Sequence, residues 1–469
     1  MDDETLAFTP ATKLAELIRT KQVSPVEVTA ATLRRIAALN PRVNAFANLG
    51  ADQAMAQAKR AETALMGGGP IGRLHGLPTT IKDLAITKDF PTESGTFIMQ
   101  GHQPTEDTPF VTRLQDAGAI VIGKTTTSEY GWKGVSQSPL TGITHNPWKH
   151  GYNAGASSAG AAAAAASGFG HLHQGSDGAG SIRMPSHFCG VFGLKPSFGR
   201  VPAYPVSTGD YTSHSGPMSR SVADAALMLE VMAGPHPLDH TTLEAGPANY
   251  TGRLHEGVKG KRIAYSPDLG HARVDPDVAA LVKAAVARFT ELGAVVEEVA
   301  TPWAKDGPEL VRFFWPAHMA RLAPKLKQWA NQMDPGLVAC IEAGAGISVV
   351  DYLLMRERKM AYVSAINHWF EDWDFLLTPA VSVAAFPAEK LMPAHWPTHA
   401  WDWISWAEFS YPFNMSWNPA ASVPCGFTAD GLPVGLQVVG RRFDDLGVLQ
   451  AAAAFEAAQP WADRRPALR

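Results

Sequence analysis

Cysteine is scarce in this chain: there are three, Cys189, Cys340 and Cys425. They cannot all pair, and none stands in a C-x-x-C spacing. That excludes a disulfide scaffold and fits a reducing compartment, with three small buried residues as the plain reading. Charge is also sparse, at 18% of residues, and nearly balanced, with a formal net charge of −4. Such a surface carries no field to hold nucleic acid or an anionic membrane. Long apolar runs are missing too. The longest low-complexity stretch, Ala161 to Ala166, is too short and too weakly apolar to span a bilayer. The opening Met1-Asp2-Asp3-Glu4 has no apolar secretion core, so a cytoplasmic location is expected. What the chain does have is 42 Gly and 35 Pro among 469 residues, the many tight connections of a loop-rich enzyme with a sizeable core.

The order of elements is legible in outline. Residues 1–65 read as helices, and Ser24-Pro25-Val26-Glu27 is a helix start: a serine cap, proline at the first helical position and glutamate three after the cap. From Leu77 onward, strands and helices alternate. The strand candidates are Thr79 to Leu84, Ala119 to Ile122, Gly190 to Leu194, Arg262 to Ser266, Val295 to Val299, Phe375 to Thr378 and Val434 to Val439. A helix from Asp275 to Leu292 is opened by Asp275-Pro276 and closed by Gly293. The alternation predicts an α/β core, a sheet covered on both faces, within a single domain over 1–469. Residues 303–409 break the rhythm and hold nine of the thirteen tryptophans. They are expected to form a helical, Trp-rich insertion over the active edge, although packing alone accounts for most such rings.

Chemistry is suggested by Lys82, which ends the apolar run Leu77-Pro78-Thr79-Thr80-Ile81-Lys82. Partial desolvation favours the neutral amine, which can act as a base toward a serine hydroxyl. Serines occur in two small-residue loops, Gly155-Ala156-Ser157-Ser158-Ala159-Gly160 and Asp177-Gly178-Ala179-Gly180-Ser181-Ile182-Arg183. Taken singly, each has a bland alternative: a snorkelling lysine, or serines that cap helices.

Competing motifs fail on context. Gly118 to Thr125 fits the P-loop pattern, but Ala119 to Ile122 read as the strand itself. Gly67 to Gly72 fits GxGxxG without a preceding strand, and Pro70 forbids a smooth helix entry. Ala156 to Gly160 lacks one glycine of the GxSxG elbow, and no S-x-x-K occurs anywhere. His171 and His173 would share a strand face but have no third metal ligand at a recognisable spacing.

Taken together, the stretch from Asn146 to Pro202 resembles the amidase signature family. The motifs that carry the resemblance are Asn146-Pro147-Trp148, the Ser157-Ser158 pair, Ser181-Ile182-Arg183-Met184-Pro185 and Phe188-Cys189-Gly190-Val191-Phe192-Gly193-Leu194-Lys195-Pro196. Ser157 and Ser181 stand 24 residues apart, the family's own interval between its two catalytic serines. Lys82-Asp83, Tyr411-Pro412-Phe413-Asn414 and Asn418-Pro419-Ala420 extend the similarity to both ends. Ala156, Ala159 and Ala179 depart from it by replacing glycines.

The resemblance implies an α/β/α sandwich around a large, twisted, mixed sheet. It implies an amide hydrolase in which Ser181 is the nucleophile, Lys82 the base and Ser157 the bridge between them, held by a cis peptide after Ala156. Backbone amides of Gly178, Ala179, Gly180 and Ser181 are the expected oxyanion donors. Asp177 and Arg183 are expected to pair and brace that loop, and Ser158 to cap the helix from Ala159 to Ser167. No cofactor or metal is called for, and the partner is a small-molecule amide, ester or carbamate; a homodimer is open. Two alternatives stand beside this reading. One is the glutaminase subunit of a transfer-RNA-dependent amidotransferase, disfavoured by Met184 and Pro202-Ala203-Tyr204-Pro205. The other is an inactive scaffold on the same fold. Trp396, Trp401, Trp403, Trp406 and Trp417 are expected to line an aromatic pocket favouring aryl amides and anilides. With no cluster of Arg or Lys in that segment, charged amides are expected to be poor substrates.

Overall fold

A computed structural model describes residues 1–209, 212–244 and 249–468. Eleven strands form one central sheet. In chain order they are β1 (Phe46–Leu49), β2 (Pro78–Lys82), β3 (Ile120–Thr125), β4 (Leu172–Asp177), β5 (Phe192–Lys195), β6 (His214–Ser219), β7 (Arg262–Tyr265), β8 (Val295–Glu298), β9 (Phe375–Pro379), β10 (Ala420–Phe427) and β11 (Pro433–Gly440). Their spatial order is β1-β3-β2-β4-β6-β5-β10-β11-β9-β7-β8. Parallel pairs, β3–β2–β4 on one wing and β9–β7–β8 on the other, flank an antiparallel centre running from β4 to β9, and β1 pairs antiparallel at one edge. The fold is α/β with a large mixed sheet, as expected.

Alternation along the strands shows why both faces are covered. Val121 packs into one apolar core while its neighbours Ile120 and Ile122 pack into another. Phe375 and Leu377 likewise face one core and Leu376 a different one. The helix Ala159–Ser167 is buried at every residue. Its short side chains let it lie close to the sheet, and at Gly160 a Cβ would collide with the Thr126 backbone nitrogen. The predicted start at Ser24 is realised as a reciprocal capping box that opens the helix Pro25–Val43.

All seven predicted strands are present within three residues of their expected limits. β1, β4, β6 and β10 were not anticipated. β4 and β6 carry His, Gln, Gly and Ser at buried positions, so they lack the apolar signature of a strand. The first 65 residues are not wholly helical, because β1 lies between the helices Pro25–Val43 and Ala51–Met66. Residues 303–409 contain the helices Gly307–Met319, Ala323–Trp329, Pro335–Ala345 and Val349–Trp369, and also β9, a strand of the central sheet. Among the described residues no single helix is long and apolar enough to cross a membrane; Pro335–Ala345 and Val349–Trp369 pass such a test only as a pair bent by 99°. The false P-loop lies in β3, where Lys124 is fully buried and donates to Thr92 Oγ1 at 2.7 Å and Ala85 O at 2.8 Å.

Candidate active site

Parallel pairing of β2 with β4 brings their C-terminal ends side by side. Lys82 closes β2, and Ser176 and Asp177 close β4. Lys82 is fully buried. Its Nζ lies 2.7 Å from Ser157 Oγ, 3.0 Å from Ser176 Oγ and 3.3 Å from Ser176 O. Burial drives the lysine pKa well below its ordinary 10.5, opposed by the Asp177 carboxylate. As an ammonium, Nζ donates to these oxygens. As a neutral amine it accepts the Ser157 hydroxyl proton, which is the direction a base requires.

Ser157 enters the site from the loop between the ribbon strand Lys149–Asn153 and the helix Ala159–Ser167. The Ala156–Ser157 peptide is cis. Asn153 Oδ1 shapes this loop by accepting from Gly155 N at 2.7 Å and Ser136 N at 3.1 Å. Gly155 has φ +75°, and a Cβ there would come 2.5 Å from Pro185 Cα, so no other residue fits. The departures Ala156, Ala159 and Ala179 all have negative φ, so an alanine is unstrained at each. Ser158 does not cap its helix. Its hydroxyl donates to Ser176 O and accepts from Ser176 N, both at 3.1 Å, tying the loop to β4 instead.

The second loop, Asp177 to Arg183, is held by a buried ion pair. Arg183 Nε donates to Asp177 Oδ2 at 3.0 Å and Nη2 to Oδ1 at 2.9 Å, with both side chains fully buried. The guanidinium also donates to Ser410 O, Gln437 Oε1 and Asn414 Oδ1. Burial pushes the Asp177 carboxyl up, but the Arg183 charge and hydrogen bonds, with Lys195 and Asn414, outweigh it and hold the pKa below its usual range. Gly180 N donates to Asp177 Oδ1 at 2.6 Å. Of the four amides expected as oxyanion donors, the Gly180 N–H is thus already engaged by a carboxylate. Ser181 is 4% exposed, and Gly180 before it has φ +118° with Ser410 Cβ 2.6 Å from where its own Cβ would lie.

One residue of this assembly, Ser176, lay outside the sequence reading, and Asn414, Lys195 and Asn418 stood in it only as parts of motifs. Ser176 touches Lys82, and Asn414 Nδ2 donates to both Asp177 O and Asp177 Oδ1 at 2.9 Å. Lys195, also fully buried, donates to Asn418 O, which joins two motifs that are far apart in the chain. Both motifs were visible as motifs; their contact was not. His171 and His173 sit apart from this assembly. His171 Nε2 is 3.0 Å from Leu6 O and His173 Nδ1 is 2.9 Å from Thr80 Oγ1, and burial pushes both imidazoles down to about 3.

Two adjoining cavities of about 310 and 350 Å³ open onto these groups. Lys82 lines the first, Ser157, Gly178 and Ser181 line the second, and Ser176 lines both. None of Trp396, Trp401, Trp403, Trp406 and Trp417 lines either cavity. Trp403 and Trp406 are fully buried, with Trp403 Nε1 donating to Trp132 O at 2.7 Å and Trp406 Nε1 to Leu391 O at 3.0 Å. They are core, because a buried indole N–H finds a carbonyl and the ring fills space. The rings at the cavities are Tyr130, Phe110, Phe198, Tyr204 and Trp315. A cation, Arg321, lines both cavities from outside the stretch 396–417, which holds no Arg or Lys cluster.

Comparison with known proteins agrees with this geometry. The Amidase family profile matches residues 27–449. An acylamidase of Rhodococcus erythropolis is 39% identical over 477 residues, covering 100% of this chain and 99% of that protein. A glutamyl-tRNA(Gln) amidotransferase component of Moorella thermoacetica is 33% identical, covering 99% of each. The crystal structure of a bacterial aryl acylamidase of the amidase signature family superposes with a TM-score of 0.90 at 30% identity, covering 97% of each chain. A 6-aminohexanoate cyclic dimer hydrolase superposes with the same TM-score at 28% identity, covering 98% of this chain and 99% of that one. A full-length sequence match, a shared sheet and a buried lysine against a serine pair converge on one conclusion: this chain belongs to the amidase signature family and is an amide hydrolase of that family.

Proposed function

We propose that the chain hydrolyses carboxylic amides of the N-acyl arylamine type through an acyl-enzyme on Ser181. The observation that carries this reading is the 2.7 Å contact between a fully buried Lys82 Nζ and Ser157 Oγ, beside the cavity that Ser181 lines. In acylation, Ser181 Oγ attacks the carbonyl carbon while its proton passes to Ser157 and the Ser157 proton passes to Lys82. Charge on the carbonyl oxygen falls to the Gly178, Ala179 and Ser181 amides; losing one such donor costs about 3 kcal/mol of transition-state stabilisation. The C–N bond then breaks as Ser157 returns a proton to the departing nitrogen and recovers one from Lys82. Water repeats the sequence on the ester, releasing the acid and Ser181.

Similarity to an acylamidase and an aryl acylamidase supports arylamides as the first class to test. Tyr130 and Trp315 at the cavity offer flat surfaces to an aryl group. The helical part of residues 303–409 acts here as a cover over the active edge, a role supported by Trp315, Met319 and Arg321 in the cavity wall. Three free, buried cysteines are in keeping with a cytoplasmic location.

The test is intact-mass analysis after treatment with a fluorophosphonate, with turnover of acetanilide and of glutamine measured beside it. One adduct on Ser181, lost in Ser181→Ala together with anilide turnover, is expected. An adduct on Ser158, or undiminished turnover in Ser181→Ala, refutes the assignment. Glutamine turned over faster than anilides would favour the amidotransferase reading.

A further inference from the structure

The two cavities share a wall that includes Tyr130, Ser176, Ser207 and Arg321. Of the charged side chains that line them, Lys82 is the buried base and Asp239 is already engaged. Asp239 Oδ2 accepts from Ala203 N, and Oδ1 accepts from Thr241 N and Oγ1, at 2.6–2.9 Å. Arg321 differs. It lies in the single turn Ala320–Leu322 between the helices Gly307–Met319 and Ala323–Trp329, where buried Leu322 anchors the backbone. Among the described residues its only hydrogen bond is a long one, from Nη1 to His318 O at 3.3 Å, and no carboxylate pairs with it. Most of its five N–H donors are thus uncommitted at the mouth of the site.

Tyr130 lines the same two cavities, and its backbone has φ +49°. An aromatic residue held in the left-handed region is strained and persists only where its surroundings impose it. Its phenol lies within the field of the Glu129 charge and, more weakly, of the Arg321 charge. Among the described residues that line both cavities, Arg321 is thus the one charged group, although the chain as a whole is net negative.

A planar guanidinium fork matches a carboxylate in two parallel hydrogen bonds. We infer that Arg321 is a specificity-determining residue that selects amides bearing a carboxylate away from the scissile bond. This rests on the amide-hydrolase reading and reverses the expectation that charged amides are poor substrates.

The carboxylate can belong to the acyl half or to the amine half, and the assay separates these sources. N-phenylsuccinamate carries it on the acyl side and 4-acetamidobenzoate on the amine side. Their methyl ketone counterparts, N-phenyl-4-oxopentanamide and 4-acetamidoacetophenone, keep the shape without the charge. In the wild type, at least one acid is expected to exceed its ketone more than three-fold in kcat/KM. Arg321→Ala should lower that ratio more than three-fold, and Arg321→Lys should keep part of it. Arg321→Glu should reverse the preference toward an ammonium-bearing anilide. Arg321 is exposed, so all three variants should fold, and thermal melts check that they do. If the ketones are turned over but neither acid exceeds its ketone three-fold, or Arg321→Ala changes the ratio less than three-fold, the inference is overturned. If the wild type turns over none of the four, the arylamide reading itself fails.

Discussion

Replacing Asp177 by asparagine keeps the shape of the side chain and removes its charge. In the wild type, Oδ1 accepts from Gly180 N, Arg183 Nη2 and Asn414 Nδ2, and Oδ2 accepts from Ile182 N, Arg183 N and Arg183 Nε. An asparagine oxygen can keep the first group, but its NH₂ then faces three donors, Ile182 N, Arg183 N and Arg183 Nε, where an acceptor stood. Each buried donor left unpaired costs about 1–3 kcal/mol. Leaving Arg183 buried without its counter-charge brings the total to about 3–5 kcal/mol. Urea titration followed by tryptophan fluorescence, with the slope checked for constancy, measures it. Asp177→Asn should lose about that much stability at pH 7 and nearly all turnover, since the same amides hold the loop that carries Ser181. In a double-mutant cycle, Asp177→Asn with Arg183→Met should be less destabilised than the two single variants summed. The pH dependence has a definite sign. Folding lowers the Asp177 pKa below its ordinary 3.8, so its contribution is present above about pH 4 and fades as the pH falls toward the folded-state value. The acid limb of the stability curve should be shallower in Asp177→Asn. A loss below about 1 kcal/mol, or no coupling in the cycle, would refute the argument that this pair braces the nucleophile loop.

Two further outcomes follow from the same geometry. Lys82→Arg should be nearly as inactive as Lys82→Ala, because arginine keeps the charge but does not release its proton; with the Lys82 pKa well below 10.5, wild-type kcat/KM should level off on the alkaline side well before that pH, and a rise continuing through it would show an unperturbed lysine. Trp403→Ala should destabilise the fold by about 3–5 kcal/mol in urea titration, as a fully buried ring that also donates to Trp132 O, and a loss under about 1 kcal/mol would put that ring outside the core.

Lys82, Ser157 and Ser181 were legible in the chain because a short apolar run and two small-residue loops are local patterns, and a fixed interval between serines survives without a structure. The same holds for the strands rich in Val, Ile and Leu and for the capping box at Ser24, where the signal lies within a few residues. β4 and β6 were not legible. Their buried positions hold His173, Gln174, Gly175 and His214, which read as loop until the strands beside them supply the pairing. The link from Ser158 to β4 and the meeting of Lys195 with Asn418 depend on contacts between separate segments, the second 223 residues apart. Tryptophan composition marked an aromatic-rich segment but not which rings face substrate. That was decided by packing, which sent Trp403 and Trp406 into the core and left Tyr130, Trp315 and Arg321 at the cavity. Local patterns determine what a segment can do; the long-range pairing of β2 with β4 and the turn at Ala320–Leu322 decide which side chains meet, because contact between distant segments has no local sequence signature.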